Sequence, residues 1–130
     1  MPLHMTKIAY GSKTMEALRR WIEEGDETRT TTRYLPRRHE EMIGGSLYWI
    51  MDHAIVARSE ILGFAQGGDG RWIIRLAPEL VPVHPRARRA HQGWRYLEAE
   101  DAPPDLAPGE TADDVLPARL ARELARLGLA

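Results

Sequence analysis

Apolar positions recur along this chain with two different periods, and the switches between them mark its elements. Residues 6–10 read as a short strand. Ser12 or Thr14 can then cap a helix through about Glu24: Met15, Leu18 and Ile22 share one face, Trp21 lies beside them, and Gly25 supplies the stop. Residues 28–34 (TRTTTRY) change to alternation, with Thr28, Thr30, Thr32 and Tyr34 facing one way and Arg29, Thr31 and Arg33 the other. Pro36 suits the first turn of a short helix that ends at Gly44-Gly45.

Residues 46–51 and 54–62 follow as strands. In the first, Ser46 and Tyr48 point to one side and Leu47 and Trp49 to the other. Leu47, Trp49 and Trp72 are expected in the core, whereas Tyr48 can either be buried or line a pocket. The GGDG at 67–70 signals a turn, and RWIIRLA at 71–77 is the returning strand. Pro78, Pro82 and Pro85 confine the next stretch to an edge strand and loop. Beyond RARRAHQGWRYL (86–97) comes an acidic, Pro-rich loop over 98–112. Pro117 then opens a closing helix over about 117–127, with Leu120, Leu124 and Leu127 on one stripe. Such a stripe either packs on the domain's own sheet or joins a partner or second copy.

These elements predict one α+β domain over residues 1–130 with a core of about 6–106: a small curled mixed β-sheet or pseudo-barrel, flanked by an N-terminal and a C-terminal helix. Composition agrees, with 43% hydrophobic and 28% charged residues, as in a globular chain. The absence of cysteine excludes a disulfide framework, a thiolate metal site and a cysteine nucleophile. No apolar run approaches the ~18 residues of a membrane span, and the first residues lack the core of a signal peptide. The expectation is a cytoplasmic protein without a membrane partner.

The net charge of −1 hides a division. Residues 1–28 carry four basic and five acidic groups, residues 29–95 eleven arginines against six acids, and residues 96–130 three arginines against eight acids. Arg33, Arg37 and Arg38 gather at a strand end and the following helix start. Arg86, Arg88, Arg89 and Arg95 form a second cluster, interleaved with Gln92, Trp94 and Tyr96. Arginine beside aromatic rings suits single-stranded nucleic acid, since charge follows the phosphates while flat side chains stack on bases. The same charges admit another reading, in which Arg86, Arg88 and Arg89 pair with Glu98, Glu100, Asp101 and Asp105 and leave no open patch.

Catalytic signatures are sparse. GGDG lacks the Lys-Ser/Thr of a phosphate-binding loop, and Gly44-Gly45-Ser46 precedes a strand, where a nucleophile elbow would follow one. His39-Glu40 begins a metalloprotease pattern, but Ile43 stands where the second histidine is required. No metal or other cofactor is expected. A hydrolase acting on RNA or a nucleotide would have to be assembled from Tyr48, His91 and an arginine such as Arg58.

Pro36-Arg37-Arg38, Gly45-Ser-Leu-Tyr-Trp, Glu79-Leu-Val-Pro-Val and Gln92-Gly-Trp-Arg-Tyr-Leu closely resemble a bacterial family known only as domain of unknown function 1489. The resemblance runs from Lys7 to about Leu106, and the closing helix is less typical of it. Family members usually carry Phe where this chain has His91. A looser likeness, through the basic short helix, the Gly-led strand and the hairpin returning through Arg58, is to PUA and ASCH domains. That likeness implies RNA or nucleotide binding, with a few such domains cleaving RNA.

Overall fold

The computed structural model describes residues 2–9, 14–88 and 93–107. Strand β1 (His4–Ile8) leads to helix α1 (Met15–Glu23) and strand β2 (Thr28–Thr32). Helix α2 (His39–Met42) precedes β3 (Ser46–Met51), the long β4 (Ala54–Gln66), β5 (Trp72–Leu76), β6 (Val81–Ala87) and β7 (Trp94–Leu97). A single 3-10 turn, Ala99–Asp101, follows.

Seven strands form one mixed sheet in the order β2-β5-β4-β3-β1-β7, with β6 attached to β4. The β1–β3 pairing is parallel and the others are antiparallel. Length lets β4 serve several neighbours: its first half pairs with both β3 and β6, and its second half with β5. The sheet is open, so the expected pseudo-barrel is not formed. It is nevertheless curled, because residues beside β2 and β7, the two ends of the strand path, line one common cavity.

Two apolar clusters hold the sheet. Met5, Leu47, Trp49, Ala57, Ile61 and Ile74 meet Leu18 and Ile22 of α1. Tyr48, Ile50, Ile55, Val83 and Leu97 form the second cluster, with Ala102 packed on it. Strand alternation explains the division, since Leu47 and Trp49 fall on one face and Tyr48 and Ile50 on the other. Tyr48 is therefore buried.

Helix α1 follows its sequence signals closely. Thr14 is the cap, its hydroxyl accepting the Ala17 N–H at 3.1 Å, and Gly25 leaves the helix at φ +88°. Trp21, 41% exposed, stands edge-on to Trp49 with ring centroids 5.7 Å apart. The second helix is shorter than expected and begins at His39, after a turn in which the Pro36 carbonyl accepts the His39 N–H. Strand β2 stops at Thr32, so Tyr34 leaves the alternation and is 72% exposed.

Gly45 lies where backbone meets backbone: a Cβ there would collide with the Leu3 carbonyl oxygen and come within 3.1 Å of that of Met42. The chain after β7 crosses back over β6, with Val83 bridged to Asp105 and the Leu106 N–H donating to the Pro82 carbonyl. The expected closing helix over about 117–127 lies outside the described residues, as does the rest of the acidic loop after residue 107. No helix among the described residues is long and apolar enough to cross a membrane.

Candidate anion-binding site

Curling brings the end of β2, the start of β5, the end of β1 and the start of β7 around a cavity of about 460 Å³. Arg33, Arg71, Lys7 and Arg95 line it together with Tyr34 and Trp94, and no carboxylate is among its described lining residues. Each side chain arrives for a local reason. Lys7 shares the face of buried Met5 two residues earlier, and the β1–β7 register sets it directly across from Trp94. The β2–β5 ladder ends at Thr32 opposite Trp72, and Arg33 and Arg71, the residues just beyond that pair, both line the cavity. Arg71 itself emerges from the 67–70 turn, where its N–H donates to Asp69 Oδ1 at 3.1 Å and its carbonyl accepts the Gly67 N–H at 2.7 Å.

Like charges that share one cavity repel. Arg33 and Arg71 make no ion pair among the described residues. Burial, aided by the neighbouring Arg71 charge, holds the Lys7 ammonium below its ordinary range.

The aromatic wall of the cavity is fixed from behind. Trp94 meets Tyr96 edge-on, with centroids 4.8 Å apart at 85°. Tyr96 is in turn held by Arg38, whose guanidinium lies 5.7 Å from the ring centroid and whose backbone N–H donates to the phenol oxygen at 3.3 Å.

The expected site residues therefore separate. Arg33, Trp94 and Arg95 line the cavity, and Tyr96 supports it from the adjoining position. Arg37 is exposed but does not line it. Arg38 is neutralised by the protein itself, bidentate to Glu41 at 2.8 Å for both contacts and 3.4 Å from Glu98. Arg86 donates to the Asp101 backbone carbonyl, and the Arg88 N–H to the His53 carbonyl, so neither joins the cavity. Arg89, His91 and Gln92 lie outside the described residues.

Internal charge pairing does occur, but with other arginines than Arg86 and Arg88. Glu98 takes Arg38 and Asp105 takes Arg58, because the chain after β7 first passes α2 and then crosses β6 toward β4.

A second cavity, of about 400 Å³, lies against β1 and β3 and includes Tyr48, Arg58, His4, Ser46 and Asp105. Arg58 is bidentate to Asp105 at 2.7 and 2.8 Å and donates to Ser46 Oγ at 3.1 Å. The ion pair holds the Asp105 carboxyl below its ordinary value. His4 Nδ1 accepts the Ser46 N–H at 2.9 Å, which puts the ring proton on Nε2, and burial with the Arg58 charge keeps this imidazole neutral. Burial pushes the Tyr48 phenol up. Through the Arg58–Asp105 pair, the cavity's described side chains form a clamp on the segment after β7. Among the described residues no group of three or more potential metal ligands occurs.

Lys7 and Arg71 carry no signal of their own in the sequence. Each is a single cation at one end of a strand, and only the approach of the two sheet ends unites them with Arg33 and Arg95.

Fold and site together define an open, curled mixed-sheet α+β domain with a cationic cavity at the seam between its sheet ends. The chain belongs to the family described as protein of unknown function (DUF1489), whose model matches residues 5–130. The match includes the C-terminal segment and so extends beyond the Leu106 limit of the sequence resemblance. No curated protein and no solved structure matches the chain.

Proposed function

We propose that this domain binds a phosphate-bearing nucleotide ligand, either free or as part of single-stranded RNA, in the cavity between its sheet ends. The observation that supports this reading is the convergence of Arg33, Arg71, Lys7 and Arg95 on one volume whose described lining includes no acid. Guanidinium and ammonium donors hold the phosphates, and Trp94, braced by Tyr96, offers a face for one base. Exposed Tyr34 stands at the same site and can close over the ligand.

Equilibrium binding of a short 5′-phosphorylated single-stranded RNA and of nucleotides, measured between about 50 and 200 mM salt, tests the reading. With three or four phosphate contacts the log–log slope for the RNA is roughly −2 to −3, a loss of roughly 20- to 60-fold over that range. Arg33→Gln and Arg71→Gln each weaken binding about tenfold. Binding that ignores both salt and these substitutions would refute the proposal.

A further inference from the structure

The cavity against β1 and β3 is lined by hydroxyl groups whose protons have no described acceptor. Tyr48 and Ser46 belong to it and are only 4% and 3% exposed. Strand alternation puts both on one face of β3, and the His4 ring of β1 stands edge-on to that of Tyr48, centroids 5.2 Å apart. The Tyr48 phenol makes no hydrogen bond among the described residues, and the Arg58 and Asp105 charges both act on it. Ser46 Oγ accepts from Arg58 Nη1 at 3.1 Å but finds no described acceptor for its own proton. His4 accepts the Ser46 N–H on Nδ1 at 2.9 Å, which leaves its Nε2 proton free to donate in the same way. Buried polar groups are normally satisfied, so donors gathered like this mark the place of an acceptor.

The acceptor is uncharged, because Arg58 already has its counter-ion. Asp105 accepts from Nε and Nη2 at 2.7 and 2.8 Å, and Glu79 adds negative potential at the guanidinium. An anion would have to displace Asp105, whereas a carbonyl oxygen can join the three donors with the pair intact. The carboxylate also keeps lone pairs that can accept an N–H from the ligand. A trans peptide points its C=O and N–H to opposite sides and cannot offer both to one small cluster. A cyclic amide or imide carries them side by side on one edge. Pro2, Ala102 and Pro103 supply an apolar wall for its ring, and about 400 Å³ is the volume of a small-ligand site. We propose that this cavity binds a small uncharged cyclic amide or imide, such as a free pyrimidine base, with carbonyl oxygen on Tyr48, Ser46 and His4 and N–H on Asp105. Phosphorylated ligands are excluded, since their charge would face Asp105 and Glu79. The site shares no described lining residue with the cationic cavity and does not rest on the nucleotide reading.

Nuclear magnetic resonance titration of the full chain with succinimide, N-methylsuccinimide, uracil and orotate, the 6-carboxylate of uracil, tests this. Succinimide and uracil should bind with a Kd of about 1 mM or tighter. N-methylsuccinimide, which has no N–H, and orotate, which is an anion, should each bind about tenfold more weakly than its parent. Tyr48→Phe keeps the ring and removes only the phenol oxygen, and should weaken succinimide and uracil about fivefold. Arg20→Gln on the exposed side of α1 should leave both intact. Tighter binding of uracil than of succinimide supports a pyrimidine base as the ligand, and equal binding supports the bare imide edge. The inference is overturned if neither parent binds, if N-methylsuccinimide matches succinimide, if orotate binds more tightly than uracil, or if folded Tyr48→Phe binds as tightly as the native chain. Should Tyr48→Phe fail to fold, the methylated and carboxylated ligands decide. Each of these failures leaves phosphate binding at the cationic cavity standing.

Discussion

Removing the carboxylate of Asp105 is the most direct probe of how the segment after β7 is held. Arg58 donates two charge-assisted hydrogen bonds to that carboxylate at 2.7 and 2.8 Å, and its third contact is Ser46 Oγ at 3.1 Å. Hydrogen bonds to charged groups contribute about 1.5–3 kcal/mol each when shielded. Asp105 is 46% exposed in its side chain and Arg58 26%, so water screens the pair and reduces its coupling to about 1 kcal/mol. A double-mutant cycle of Asp105→Asn and Arg58→Gln, read by urea unfolding at neutral pH, should return that value. Single Asp105→Asn should cost about 1–2 kcal/mol, since it leaves a half-buried guanidinium without its counter-ion.

The pH dependence has a definite sign. Because Arg58 lowers the folded-state pKa of Asp105, the contribution is present above the ordinary value of 3.8 and is lost as pH falls through the lower folded value. The stability gap between the native chain and Asp105→Asn should therefore narrow below about pH 4. Additive single substitutions, together with a gap that stays constant into acid, would refute the clamp. Nucleotide binding should be unchanged in Arg58→Gln, since Arg58 does not line the cationic cavity.

Other consequences follow from packing. Gly45→Ala should destabilise the fold by about 3 kcal/mol or more in chemical denaturation, because its Cβ meets the Leu3 and Met42 carbonyl oxygens and backbone cannot yield as a side chain does. Neighbouring Gly44→Ala should cost only about 1 kcal/mol, as its φ of +87° strains an alanine but the surrounding space is open. Ser59→Ala should cost about 1–3 kcal/mol by the same assay, since it leaves the buried Trp49 indole N–H without its 3.2 Å acceptor. Tryptophan fluorescence in the folded baseline of Ser59→Ala would report the change around that indole.

Much of the scaffold could be read from residue order. The cap, amphipathic face and glycine stop of α1 act within one helix, so Thr14, Leu18, Ile22 and Gly25 reveal it without distant partners. Strands β3 and β5 were equally plain in their apolar letters. Strand β7 was not, because its Trp94–Tyr96 alternation is short. The β3–β4 hairpin was legible from its two flanking strands, although its turn residues, Asp52 and His53, adopt φ of +48° and +62° without glycine.

The site divided along the same line. Arg33 was legible in one basic cluster and Trp94 and Arg95 in another, whereas Lys7 and Arg71 were not. Nor could charge counting separate Arg33 from Arg38, although one faces the cavity and the other is consumed by Glu41 and Glu98.

Residue order by itself thus determined the α1 helix, most of the strands, the family and the presence of basic and acidic regions, because those depend on neighbours a few positions apart. Tertiary structure alone decided that the sheet stays open, that its ends meet around Lys7, Arg33, Arg71 and Arg95, and that Asp105 reaches Arg58. The physical reason is range. Periodicity and capping act over one or two turns of chain, whereas a cavity between sheet ends is fixed by accumulated strand twist and by burial between residues up to about ninety positions apart.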